Sequence, residues 1–202
     1  MEGHSRSDTR PERHRLFIAI ALPEAVKHAI EKAQDELRAA LPSGSIRWTR
    51  REQFHLTMRF LGGVEVQQID RLNEAMRRAC AGAGDLQLRA ARIGVFPGTR
   101  RPRVVWTGVD DHGGRLTALQ RSIEAATAPF TDEPPQETFT GHITLARCRE
   151  INRTEASKLS TLVDRMADRS FGAWTATSVD VMRSVTAPTG ARYTTVAQIA
   201  LG

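Results

Sequence analysis

Phe54-His55-Leu56-Thr57-Met58-Arg59-Phe60-Leu61-Gly62 alternates with a period of two. Phe54, Leu56, Met58 and Phe60 fall on one side of the pattern and His55, Thr57 and Arg59 on the other. Successive side chains of a β-strand point to opposite faces, so the stretch predicts a strand with one apolar and one polar face. A histidine, a hydroxyl and a guanidinium in a row on a sheet face call for something polar above them. Thr140-Gly141-His142-Ile143-Thr144-Leu145-Ala146-Arg147 repeats the arrangement, with Ile143 and Leu145 opposite the His and Thr. Two such strands facing one cleft would share one substrate.

Outward from these strands the chain reads as two similar units. Leu16–Leu22 is an apolar run with the character of a central strand. Pro23 then opens a helix over 23–40, with Val26, Ile30, Ala33 and Leu37 at helical spacing, and Leu41-Pro42-Ser43-Gly44 ends it. Ile46–Trp48 predicts a short strand. The 54–61 strand should stop at Gly62-Gly63, before a helix over 66–81 and a strand over 86–96. The second unit has a strand at 104–109, a helix over 113–127, the 139–148 strand, and a helix over 154–168 with Thr154 as its N-cap. One long strand over 171–185, a turn at Pro188-Thr189-Gly190 and a last strand over 193–201 complete it.

The spacing argues that this is a duplication. Leu16 to His55 is 39 positions and Val104 to His142 is 38. With six histidines and 19 threonines in 202 residues, chance supplies about half a His-x-Thr per chain, so one copy carries no weight. Two copies, each on a strand and at matched places of a repeat, do carry weight. The repeat halves are placed at about 16–96 and 103–201. A pseudo-two-fold relating them would set the two histidines across one groove.

Composition narrows the rest. The apolar fraction of 40% and charged fraction of 26% suit a water-soluble globular chain. No apolar run reaches the roughly 20 residues of a membrane helix. The polar residues 1–14 lack an apolar signal segment and read as a disordered leader on a cytoplasmic protein. The two cysteines, Cys80 and Cys148, read as small buried residues in a reducing compartment. A net charge of +6 favours an anionic partner, although three lysines against 26 arginines also fit a coding bias. His4, His14, His28 and His112 read as leader, helix-surface or turn residues.

No carboxylate stands at a fixed short spacing from either motif histidine on the same strand face, as a three-ligand zinc site would want, and no G-x-S-x-G turn is present. Paired acid–base chemistry remains. One imidazole can be neutral while another is protonated near neutral pH. A phosphodiester, attacked on one side and protonated on the other, suits that pair.

The tetrads His55-Leu56-Thr57-Met58 and His142-Ile143-Thr144-Leu145 resemble the H-x-T-x motifs of the 2H phosphoesterase superfamily. With RLFIAIALP, FHLTMRFLG, RPRVVWTGV and GHITLAR, residues 15–201 are similar to the RNA 2′,3′-cyclic phosphodiesterases, the 2′-5′ RNA ligase-like or LigT-type family. The resemblance implies an α+β fold over residues 15–202: one bilobal domain of two antiparallel sheets, helices outside and a central cleft. It implies opening of an RNA 2′,3′-cyclic phosphate to a 2′-phosphomonoester without metal, cofactor or ATP. His55 would be the proton donor and His142 the proton acceptor. Thr57, Thr144 and Arg147 would contact phosphate.

Strict alternation puts Arg147 on the face opposite His142, unless a bulge or the strand's end turns it back. Arg59 has the right parity and is its rival. Phe17 and Trp106, on the first strand of each half, are candidates for base stacking or core packing. The expected partners are RNA ends or nucleotides with a 2′,3′-cyclic phosphate, tRNA fragments among them, bound by a monomer. Two other readings stay open: a non-catalytic RNA-end-binding module, and 2′-5′ ligation of tRNA halves as the reverse reaction.

Overall fold

The computed structural model describes residues 11–41, 44–111, 113–188 and 190–202. Most of the expected leader, His4, the Pro42-Ser43 break, His112 and Thr189 lie outside them. Arg13 and His14, expected in the leader, belong instead to the first strand, which begins ahead of the apolar run. The elements in chain order are β1 (Arg13–Ala21), α1 (Glu24–Ala40), β2 (Ile46–Trp48), β3 (His55–Glu65), α2 (Ile69–Cys80), β4 (Leu86–Phe96), β5 (Val104–Asp111), α3 (Arg115–Thr127), β6 (His142–Cys148), α4 (Arg153–Arg165), β7 (Ser170–Ala176), β8 (Ser178–Ala187) and β9 (Gly190–Ala200).

These strands form two antiparallel sheets, ordered β3-β1-β8-β9 and β2-β6-β5-β4-β7. Helices α2 and α3 pack on the first sheet, and α1 and α4 on the second. The sequence halves are therefore not the lobes. The first two long strands of each half, β1 with β3 and β5 with β6, pair in one sheet. One later strand of each half crosses over: β4 pairs with β5, and β8 pairs with β1. The expected pseudo-two-fold holds, with strands exchanged across it.

The long strand expected over 171–185 is two strands. Thr177 alone separates them, and they belong to different sheets. The buried positions fall at Trp174 and Ala176 before the junction and at Val179 and Val181 after it, a shift of phase that a single long strand over 171–185 passes over. β3 also runs past Gly62 and Gly63 to Glu65, because β1 is long enough to pair with both glycines. Helix α4 is capped earlier than Thr154 suggested. Asn152 Oδ1 accepts from Glu155 N at 2.9 Å, and Glu155 Oε2 accepts from Asn152 N at 3.1 Å. This reciprocal box satisfies donors at the helix start.

Packing follows the apolar pattern. Leu16, Ile18 and Ile20 of β1 and Val26, Ile30, Ala33 and Leu37 of α1 are buried. So are Leu56 and Met58 of β3, and Ile143 and Leu145 of β6. Each fully buried Leu or Ile contributes about 1.5–3 kcal/mol relative to exposure. That burial fixes which face of β3 and β6 is left for the cleft. Cys80 and Cys148 are buried free thiols, and burial pushes the Cys80 thiol up to about 11. No helix among the described residues is long and apolar enough to cross a membrane.

Candidate active site

The cleft between the sheets has a volume of about 700 Å³, and His55, Thr57, His142 and Thr144 all line it. β3 and β6 deliver them from opposite walls. Both histidines are held in the same way. His55 Nδ1 lies 2.7 Å from Gln53 O, and His142 Nδ1 lies 2.7 Å from Thr140 O. A carbonyl oxygen can only accept, so Nδ1 carries a proton in each ring and Nε2 is left to exchange one. The hydroxyls of Thr57 and Thr144 have no protein hydrogen bond among the described residues.

Aromatic rings cushion both imidazoles. The Phe17 ring lies 4.9 Å from His55 and the Tyr193 ring stands edge-on at 5.4 Å. Phe96 stands edge-on to His142 at 5.2 Å, with Trp106 at 6.4 Å. Burial among these groups lowers the pKa of His55. The Gln53 carbonyl opposes that shift and the nearby His142 adds to it.

A bulge in each strand decides which later residues reach the cleft. In β6, Trp106 pairs with Thr144 and Val105 with Ala146, so Leu145 faces no partner. The extra residue shifts the alternation by one, and Arg147 returns to the cleft side. The carbonyl of Leu145 accepts from Gln34 Nε2 of α1 at 2.8 Å, which ties the bulge to a helix. β3 has the same device. Ala19 pairs with Thr57 and Ile18 with Arg59, leaving Met58 unpaired.

Arg59 is thereby turned away from the cleft, and the expected phosphate contact there is corrected. It is 3% exposed, with Nη1 2.6 Å from Glu124 Oε1 and 3.0 Å from Pro134 O. Its Nη2 donates to Glu133 O at 3.0 Å. The guanidinium pins the segment that brings Glu133 and Gln136 to the cleft wall. Phe60 takes the position in β3 that Arg147 takes in β6, and it is 51% exposed in the cleft.

The two expected stacking residues serve as supports. Phe17 is 3% exposed beneath His55 and Tyr193, with no open face. Trp106 packs on Phe96 at 4.9 Å and covers Gly94, where any Cβ would collide with the indole. Sequence reasoning missed Arg15, Thr49, Gln53, Phe96, Phe139 and Tyr193 on the cleft walls. Arg15 was legible in principle, since it stands two positions before Phe17 on the same strand. Tyr193, the chain's single tyrosine, comes from the far hairpin and left no local signal.

The sequence pattern of the family described as LigT like Phosphoesterase matches residues 20–106 and, a second time, 108–193. The chain belongs to the LigT-like phosphoesterase family. The double match agrees with the duplication read from the spacing of the two histidines. Among relatives in this family, the RNA 2′,3′-cyclic phosphodiesterase of Methanothermobacter thermautotrophicus is 27% identical over 89% of this chain and 95% of its own. That of Thermotoga maritima is 32% identical over 67% of this chain and 70% of its own. A crystal structure of a Thermus thermophilus protein superposes with a TM-score of 0.75 at 26% identity, covering 93% of this chain and 97% of that one. The crystal structure of E. coli LigT complexed with 3′-AMP gives 0.72 at 25% identity, covering 94% and 99%. The two-sheet α+β architecture is thus the LigT-like fold.

Proposed function

We propose that this chain opens the 2′,3′-cyclic phosphodiester at an RNA end, leaving a 2′-phosphomonoester, by acid–base catalysis between His55 and His142. The observation that carries the reading is the matched pair of imidazoles, each fixed through Nδ1 on a backbone carbonyl and each beside an unengaged threonine hydroxyl. The names of the relatives supply the RNA terminus as substrate.

In this scheme His142 Nε2 takes a proton from water as the oxygen attacks phosphorus. The bond from phosphorus to O3′ breaks, and His55 Nε2 gives its proton to O3′. The phosphate stays on O2′. Thr57 and Thr144 donate to non-bridging oxygens, and Arg147 offsets the charge that builds up on the phosphoryl group. The lowered pKa of His55 makes its imidazolium the stronger acid toward O3′. The bound phosphodiester anion favours its protonated form and counters the effect of burial. We assign the protein to the cytoplasm, where its two buried free thiols stay reduced, and take it to act as a monomer.

The test is hydrolysis of a short RNA ending in a 2′,3′-cyclic phosphate, with excess EDTA and no ATP. The intact protein should turn it over to a 2′-phosphate end. His55→Ala and His142→Ala should each lower kcat by about 10²–10⁴-fold. Removing both should cost little more than removing one, since the pair works as a unit. Tight binding of the RNA with no turnover by the intact protein would sink the catalytic reading.

A further inference from the structure

Arg47 stands directly opposite Arg147 in the β2–β6 ladder. Opposed residues of an antiparallel pair project to the same face, so two guanidinium-bearing side chains leave adjacent positions on the cleft side. Like charges set this way weaken a ladder unless something anionic lies over them. Neither arginine pairs with a protein carboxylate among the described residues. By contrast, Arg38, Arg77, Arg78 and Arg169 hold carboxylates at 2.9, 3.1, 3.1 and 2.6 Å.

The position of Arg47 is as telling as its charge. It is exposed on β2, an edge strand of the five-stranded sheet. Its Nη2 lies 3.3 Å from where a Cβ on Gly190 would stand. Gly190 begins β9, at the tip of a hairpin of the other sheet. Gln53 Nε2 donates to Ala191 O at 2.7 Å and joins the same tip to the residues before His55. The Arg47 guanidinium thus sits where the two sheets meet, one strand further out than Arg147 and outside the residues that line the cleft.

We propose that Arg47 holds the phosphate next along a polynucleotide from the terminal cyclic phosphate, so that the cleft takes RNA ends in preference to cyclic mononucleotides. The inference rests on the phosphodiesterase reading above and narrows its substrate class. A polynucleotide offers anionic groups at successive positions, which two adjacent unpaired guanidiniums match. A cyclic mononucleotide carries a single phosphate and leaves Arg47 without a ligand.

The experiment compares a 2′,3′-cyclic mononucleotide with a short RNA carrying the same 3′-terminal nucleotide. Steady-state kinetics are taken for the intact protein, Arg47→Ala, Arg47→Lys and Arg77→Ala over a range of salt. The intact protein should show the lower KM on RNA. Arg47→Ala should raise that KM about tenfold at unchanged kcat and leave the mononucleotide kinetics as they were. The slope of log KM against log salt for RNA should shrink by about 0.7, the share of one single-strand phosphate contact. Arg47→Lys should keep most of the effect as a point charge, and Arg77→Ala should change nothing.

Equal losses on both substrates would put Arg47 in the terminal phosphate site and overturn the proposal. No loss on either substrate would make it a surface arginine and overturn it as well. Failure of the intact protein to turn over either substrate counts against the phosphodiesterase reading instead. RNA affinity by fluorescence anisotropy then tests Arg47 separately: the same loss and salt slope support it, and no change rejects it.

Discussion

β3 and β6 carry the same His-x-Thr pair, the same carbonyl on Nδ1 and the same bulge, and then they part. The position after the bulge is Phe60 in one and Arg147 in the other. The bulge itself is held differently: Arg59 with Glu124 in β3, and Gln34 with the Leu145 carbonyl in β6. The shared part supplies two equivalent imidazoles, each held through Nδ1 on a backbone carbonyl. The divergent part makes the two strands unlike, with an arginine past Thr144 in β6 and a phenylalanine past Thr57 in β3. A symmetric site would bind a substrate in either direction. The departure from symmetry gives this one an orientation, and with it a physical basis for unequal roles of the two histidines.

The contrast is sharpest in stability. Arg59→Met leaves the half-buried Glu124 carboxylate with only the Gln120 and Gln136 donors and should cost about 3 kcal/mol, a fall in Tm on the order of 10 °C. Arg147→Met removes an exposed charge and should shift Tm by less than about 2 °C. If thermal melts show equal losses, the division between a structural and a cleft arginine is wrong. In activity the order reverses. Arg147→Met should lower kcat/KM by about 10²-fold on the cyclic phosphate, the cost of one transition-state contact; a change in KM alone would make its contact uniform through the reaction.

A finer probe uses the lowered pKa of His55. Between the ordinary value of 6.5 and the lower folded one, the unfolded chain binds more protons than the folded chain. Stability therefore rises with pH across that window and is lost as pH falls through it. Urea unfolding from about pH 5 to 7 should show a positive slope that His55→Gln flattens, a slope of at most about 1.4 kcal/mol per pH unit. A slope unchanged in the variant would assign the dependence elsewhere. The smallest effect is Phe60→Ala, which removes a ring already half in solvent. It should move stability by no more than about 0.5 kcal/mol, and a loss above about 2 kcal/mol would mean that Phe60 packs as core.

Periodicity made most elements legible, because burial of one face imposes it. Val26, Ile30, Ala33 and Leu37 announced α1, and the alternation around His55 and His142 announced the cleft strands. What escaped were single-residue events. An extra residue at Met58 and another at Leu145 each reverse the alternation. Strict parity therefore favoured Arg59 over Arg147 and put Phe60 in the core. The resemblance to the 2H motifs pointed to Arg147, and the bulge supplies the reason. Thr177 marks the change of sheet, where the buried positions move from Trp174 and Ala176 to Val179 and Val181. Tyr193 reaches the cleft because β8, its hairpin partner, pairs with β1 across most of the chain. No local window can hold such a relation.

The exchange of strands between the halves bears on how such a chain can have arisen. Half of this molecule, alone, would leave the edge of its first strand uncovered, since that edge is covered by a strand of the other half. Two identical copies could cover each other's edges only by trading strands, as in a domain-swapped dimer whose assembly depends on concentration. Joining the copies end to end replaces that encounter with an intramolecular one at an effective concentration in the millimolar range. Once joined, the two copies were free to differ. Phe60 in place of a second Arg147 is a difference that a true homodimer, carrying every substitution twice, could never have made.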